Sequence, residues 1–358
     1  MFRGRKIILA AILCSMVYNI FSDHTAISAD FEGEISAASA VVMAEDGSCV
    51  YEKNADEPRL IASTTKLMTA LVAIESYAPD DAIEVKEGCC GIEGTSMYLS
   101  PGEILTADEL IEGLLLSSGN DAAEALAVGL CGSEKAFVDR MNEKAAQLGL
   151  GHTSFSNPHG LDAEGHFSTA RDLARLMLCC MQNERFARIT AMRQCVIGDK
   201  FYVNHNKLLE RCEGCIGGKT GYTRAAGRCL VSCCERNGTR FVCVTLSDPD
   251  DWNDHLRLYE TAFAAWETVL AVSSEERFEI PVAAGDRDCA IAAPEGELKL
   301  FLPKGEELEY RYEMPRFVYA PLRQGDCAGR VVVLCAGEAA GEIKLVFTAD
   351  VERAARGE

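Results

Sequence analysis

The hydrophobic patterning of this chain predicts an α+β fold: an antiparallel sheet covered by helices, with a helical subdomain and a small C-terminal β domain. Three observations carry that reading. Strand-like alternation around residues 37–53 gives way to helix-like runs between residues 63 and 181. Alternation returns in "RCLVSCCERNGTRFVCVTLS", residues 228–247, and one more helical run follows it. From residue 278 the segments are short, alternating and broken by Gly, Pro and charge, which sets off a separate domain.

The elements can be justified in order. "SAASAVVMAEDGSCVYEKNADEP" reads as two strands about an Asp46-Gly47 turn. A helix opens at "ASTTK", residues 62–66, with Ser63 in an N-cap position, and stops by Pro79. After the loop "GCCGIEGTSMYLSPGE", Thr106 caps "ADELIEGLLL", with Glu109 three residues on as a capping box. "SSGN", residues 117–120, interrupts that helix, which resumes as "DAAEALAVGL". Ser133 caps an amphipathic helix (Phe137, Met141, Ala145, Leu148) that Gly149 ends, and another helix begins near Ser168 and Thr169. Asn237-Gly238 joins the two later strands in a tight hairpin, and "DHLRLYETAFAAWETVL" is a helix returning over the sheet. "RFEIPV", "ELKLFL", "LEYRYEM", "RVVVLC" and "EIKLVF" are the strands of the last domain.

Bulk properties bound the function. The chain has 358 residues, enough for two domains, and a formal net charge of −20. Its start is basic ("MFRGRK"), then apolar ("IILAAILCSMVYNIF"), then small-residue-rich, the layout of a secretory signal peptide cleaved after Ala29. Its removal takes away Arg3, Arg5, Lys6 and Asp23 and leaves −22. So acidic a surface is not built to bind nucleic acid or anionic membrane. The expected division is therefore a leader at residues 1–29, a main domain at 30–277 and a β domain at 278–358. Seventeen cysteines in an exported chain would ordinarily signal disulfides, but three pairs are adjacent and others sit in apolar runs, which fits buried free thiols. Cys212-x-x-Cys215 with Cys229 and Cys233 approaches zinc-ligand spacing, but the latter two read as residues of one strand.

The chemistry lies in three short motifs. A lysine at the start of an apolar helix opposes the helix dipole, so capping does not explain Lys66. Burial and the positive helix end push such a lysine towards its neutral form, a base for a hydroxyl one turn away, here Ser63. Ser118 and Asn120 stand on the interhelical loop, where Ser, Gly and Asn also suit a plain turn. Lys219-Thr220-Gly221, in "GGKTGYTRAAGRC", stands at the entry to the later hairpin, where a lysine can also simply guard an edge strand. Each is unspecific alone. S-x-x-K, S-x-N and K-T-G in that order form the set shared by penicillin-binding proteins and class A β-lactamases.

With "YEKNADE", "GTSMYLSPGE", "LLLSSGNDAAEALA" and "NPHGLDAEGHFSTARDLA", these motifs make the chain similar to the low-molecular-mass penicillin-binding proteins that are serine-type D-alanyl-D-alanine carboxypeptidases. The resemblance covers nearly all of the mature chain and implies a β-lactamase/transpeptidase-like fold. It implies Ser63 as acylated nucleophile, Lys66 as general base and Ser118 as proton relay to the leaving D-alanine. Asn120 would hold the substrate amide, Lys219, Thr220 and Gly221 the terminal carboxylate, and the Ser63 and Tyr222 N–H groups the oxyanion. The implied substrate is the peptidoglycan stem peptide, β-lactams are covalent inhibitors, and no cofactor or metal is expected. A role in cell-wall maturation and cell shape follows.

Two departures stand out: Leu60-Ile61 occupies a position where many relatives have proline, and "ADVERAARGE" is too short and polar for a membrane-anchoring helix, which leaves membrane attachment open. Among rivals, G-x-S-x-G and H-E-x-x-H are absent, and His152, His159, His166, His205 and His255 read as loop or core residues. A β-lactamase would need a deacylating carboxylate, and nothing marks Asp162 or Glu164 for that task. A non-catalytic wall-binding protein would not need all three motifs intact. Endopeptidase action on wall cross-links is chemically close to the carboxypeptidase reaction.

Overall fold

Burial selects an interior strand first. Ser39–Ala44, β1, is buried at all six positions and is flanked on both sides in its sheet. Strand β2 (Cys49–Lys53) pairs antiparallel with β1 across the Asp46-Gly47 turn, where Gly47 takes a φ of 90°. The computed structural model describes residues 34–354, so the expected leader at 1–29 lies outside the described residues.

The next elements build the helical part. A single 3-10 turn, Ala62–Thr65, leads into α1 (Lys66–Ile74), whose nine residues are all buried. Ser63 therefore precedes α1 and makes no side-chain cap, a correction to the N-cap expectation. α1 stops at Ile74, five residues before Pro79, because Glu75, Ser76 and Tyr77 tighten the chain into turns back to Leu71 and Ala73. Two short strands, β3 (Ala82–Glu84) and β4 (Ile104–Thr106), pair antiparallel. Thr106 then caps α2 (Ala107–Leu116) in a complete capping box with Glu109. α3 (Asn120–Cys131), α4 (Glu134–Gln147, capped by Ser133) and α5 (Ala170–Met181, capped by Thr169) follow as expected. α6 (Glu184–Thr190), the hairpin β5 (Gln194–Ile197) and β6 (Lys200–Val203), and the one-turn α7 (Leu208–Arg211) complete this region.

Strands β7 (Cys215–Thr223), β8 (Gly227–Arg236) and β9 (Thr239–Leu246) close a five-stranded sheet in the order β2-β1-β9-β8-β7. The Asn237-Gly238 tip has positive φ at both residues, 51° and 78°, the geometry that two-residue hairpins require. One core spans β1, α1, α2, α3, α5 and the inner face of the sheet, with Leu67, Met68, Leu114, Leu126, Met177 and Val231 fully enclosed.

Helix α8 (Asp251–Ala265) ends sooner than its sequence implied. Trp266–Val272 is strand β10, because Trp, Thr and two Val favour an extended pleat once a partner is present. That partner is β13 (Leu298–Pro303), and Trp266 stacks on Phe301 at 5.0 Å between ring centres. β11 (Phe278–Ala283), β12 (Cys289–Pro294), β14 (Leu308–Glu313), β15 (Val318–Tyr319), β16 (Cys327–Cys335) and β17 (Glu338–Phe347) form a six-stranded sheet in the order β14-β16-β17-β12-β11-β15. Val272, Ile280, Leu300, Val331, Leu345 and Phe347 form its core. By contact density the chain divides into two units: one runs to Glu235 and adds Arg240–Tyr259, the other comprises Arg236–Thr239 and the chain from Glu260 onward. Among the described residues no helix is long and apolar enough to cross a membrane.

Candidate active site

The 3-10 turn carries the first group. Ser63 is half-buried, and its Oγ lies 2.9 Å from Nζ of Lys66, which is completely enclosed at the head of α1. Two acceptors hold the same amino group: Oδ1 of Asn120 at 2.7 Å and the backbone carbonyl of His159 at 2.5 Å. Burial pushes the Lys66 pKa well below the ordinary lysine value, with the charge of Lys219 acting the same way and Asp121 opposing both. Burial, expected from the sequence, is therefore present, and the charge of Lys219 reinforces it.

The interruption between α2 and α3 supplies the second group. Ser118 is buried at a φ of 63°, a left-handed conformation rare for serine, and its hydroxyl makes no hydrogen bond among the described residues. Asn120 opens α3. Its backbone N–H donates to Thr95 and its Nδ2 to the Glu93 carbonyl, so the residue ties Lys66 to the loop at 93–95. Next to it, Asp121 accepts from the N–H groups of Met97 and Leu99 and from the Ser96 hydroxyl.

Strand β7 supplies the third. Lys219 is 1 % exposed, its Nζ donates to the Thr220 carbonyl, and burial pushes its pKa down to about 7. Thr220 is half-buried and Tyr222 is exposed. Gly221 packs directly on the serine turn: a Cβ there would sit 2.9 Å from the Ser63 nitrogen and 3.1 Å from the Ile61 carbonyl. Ser63, Lys66, Asn120, Lys219 and Gly221 are thus brought together from one turn, the starts of α1 and α3, and one strand. The contacts do not include a hydrogen bond from Ser118 to Lys66 or Ser63.

One segment of the site escaped sequence reasoning. Asn157–Gly160 lies against the turn: the His159 carbonyl accepts from Lys66 and, at 3.4 Å, from the Ser63 hydroxyl. Gly160 has a φ of 91°, and a Cβ there would come 2.0 Å from the Ala62 carbonyl, so only glycine fits. Asn157 Oδ1 accepts from the Gly160 N–H, and Thr69 donates to Pro158. The signal was visible in "NPHGLD", but His159 was weighed for its ring, whereas its carbonyl is what meets the lysine. His166 is a neutral core residue: its Nδ1 accepts from Ser156, its Nε2 faces Thr65 at 2.7 Å, and burial pushes it down to about 4.

The carboxylates weighed for β-lactam deacylation lie outward. Glu164 is exposed, and Asp162 accepts from Thr223 at the end of β7. The zinc-like cysteine set does not assemble: Cys212 meets Cys234 at 3.5 Å, while Cys229 and Cys233 share the other face of β8. All sixteen described cysteines are free, and eight are buried.

A serine and an enclosed lysine at hydrogen-bond distance, faced by an asparagine and a second buried lysine on a strand, define a serine acyl-transfer enzyme that uses lysine as its base. Similarity places it more closely. The peptidase S11 family, D-alanyl-D-alanine carboxypeptidase, matches residues 23–250. The D-alanyl-D-alanine carboxypeptidase DacF of Bacillus subtilis is 31% identical over 336 residues, covering 89% of this chain and 86% of the relative. DacC of Escherichia coli is 31% identical across 86% of this chain and 82% of its own length. Among solved structures, penicillin-binding protein 5 of Haemophilus influenzae superposes with a TM-score of 0.71 at 27% identity, covering 90% of this chain and 99% of that one. Penicillin-binding protein 6B of Escherichia coli gives 0.71 at 26%, over 88% and 96%. The chain belongs to the D-alanyl-D-alanine carboxypeptidase family, and its enzyme class is serine-type carboxypeptidase of the low-molecular-mass penicillin-binding group.

Proposed function

We propose that Ser63 attacks the carbonyl of the penultimate D-alanine in a peptidoglycan stem peptide while neutral Lys66 accepts its proton. The observation that carries this reading is the 2.9 Å contact between Ser63 Oγ and a wholly enclosed Lys66 beside a second lysine. Negative charge developing on the carbonyl oxygen is met by the N–H groups of Ser63 and Tyr222, a reading supported by the close packing of Gly221, the neighbour of Tyr222, on the serine turn. Ser118, whose hydroxyl has no competing partner among the described residues, passes the proton from Lys66 to the departing amine of D-alanine. Water then cleaves the acyl ester and restores Ser63. Asn120 holds the stem-peptide amide, and protonated Lys219 with Thr220 and Gly221 binds the terminal carboxylate.

Export through the leader at residues 1–29 takes the enzyme to this substrate, and the same carbonyl chemistry makes Ser63 the site of covalent β-lactam capture. The test is intact mass after incubation with benzylpenicillin, followed by peptide mapping. A long-lived adduct on Ser63 is the expected result. Rapid drug turnover without an adduct would replace this reading with a β-lactamase, and inertness would replace it with a wall-binding protein.

A further inference from the structure

Beside the acyl-transfer residues lies a second group that the proposed reaction does not use. Glu124 projects from α3, Glu134 opens α4, and His159 lies in the segment against the serine turn. One ligand-capable atom from each of the three lies within 4.8 Å of the others. Glu124 is only 7 % exposed, yet its Oε2 is enclosed and has no hydrogen-bond partner. A buried carboxylate oxygen left unpaired in this way calls for an occupant. His159 is equally buried; its Nδ1 accepts from the Leu161 N–H at 3.3 Å, a long contact that the ring gives up when the proton moves to Nδ1 and Nε2 presents its lone pair to an ion.

The geometry points to a divalent-cation site of two carboxylates and one imidazole, built by Glu124, Glu134 and His159 and suited to Mn²⁺ or Zn²⁺. Bonds of about 2.0–2.2 Å to a first-row ion separate neighbouring ligand atoms by about 3–4 Å, within the spacing found here. Two carboxylates neutralise a dication, and the oxygen-rich donor set matches ions of this hardness. Half-exposed Glu134 gives the ion its way in, while Glu124 and His159 close the inner side. The site also has a bearing on the enzyme. The carbonyl of His159 grips Lys66, so an ion on the ring of His159 steadies the segment that positions the base without touching the reacting atoms. This inference stands whether or not the serine mechanism above is correct.

The test is titration of the full chain, stripped with a chelator, with Mn²⁺ followed by electron paramagnetic resonance. Mn²⁺ is chosen because thiols are poor ligands for it, so the seventeen cysteines do not compete. One bound Mn²⁺ per chain is expected, weakened at least about tenfold in Glu134→Gln and in Glu124→Gln and unchanged in the surface control Glu143→Gln. Glu134 is a half-exposed helix-end residue, so its variant folds, and a thermal melt checks that it does. Absence of bound Mn²⁺ up to millimolar concentration would overturn the proposal and leave a proton on Glu124 as the occupant. Equal affinity in wild type and Glu134→Gln, or equal loss in Glu143→Gln, would overturn it too.

Discussion

Lys66 has the Asn120 Oδ1 and the His159 carbonyl as acceptors and no carboxylate in hydrogen-bond contact, so its neutral amine spends both N–H groups there and turns its lone pair to Ser63 Oγ at 2.9 Å. Ser63→Ala should therefore abolish penicillin acylation and lower carboxypeptidase kcat by at least about 10⁴-fold, with the fold intact by circular dichroism. Lys219 titrates near the working range, at about 7. Carboxylate binding needs its protonated form, so kcat/KM should fall on the alkaline side as this group loses its proton. Lys219→Arg stays charged at every accessible pH and should remove that alkaline limb, at the cost of about tenfold in kcat/KM. An unchanged limb in the arginine variant would assign it to another group. The same lysine also sets a stability slope. Its folded pKa lies below its unfolded value, so the burden of enclosing it is full below about pH 7 and disappears as pH rises towards 10. Lys219→Met should stabilise the protein at pH 6 by about 2–4 kcal/mol, with the gain fading in alkali.

At the scale of elements, the site depends on how closely β7 lies on the serine turn. Gly221→Ala places a methyl group 2.9 Å from the Ser63 nitrogen and must push the strand or the turn aside. Its expected signature is about a 10²-fold loss in acylation rate with a modest fall in melting temperature, measured by stopped-flow with a chromogenic cephalosporin. Thr106→Ala is the counterpart far from the chemistry. It breaks the capping box of α2, should cost about 1 kcal/mol in urea unfolding, and should leave acylation unchanged. Capping chemistry was readable from residue spacing because its partners are three residues apart, as at Thr106, Ser133 and Thr169. The boundary of α8 was not. "AFAAWETVL" suits helix or strand alike, and only the distant β13 selected the strand.

At the scale of the whole molecule, every residue placed in the site belongs to the first compact unit. A chain ending after Ala265 should therefore be acylated by penicillin at a rate within about threefold of the full chain, a comparison that intact-mass kinetics can make directly. A much larger loss would give the C-terminal strands a part in forming the site.

The sequence by itself determined the motifs, their order, the capped helices, the Asn237-Gly238 hairpin and five of the late strands, because each rests on neighbours within a few residues. It also marked Lys66 as anomalous, since a cation at an apolar helix start conflicts with its surroundings on local grounds alone. Only the tertiary structure decided that Ser63 stands on a 3-10 turn ahead of α1, and that a backbone carbonyl from His159 completes the grip on Lys66. It alone gathered Glu124, Glu134 and His159, which two helices and a loop bring together. These features escaped sequence reasoning for one physical reason. A carbonyl has the same chemistry at every residue, and carboxylates abound on an acidic surface, so nothing but distance in the folded chain distinguishes the ones that act.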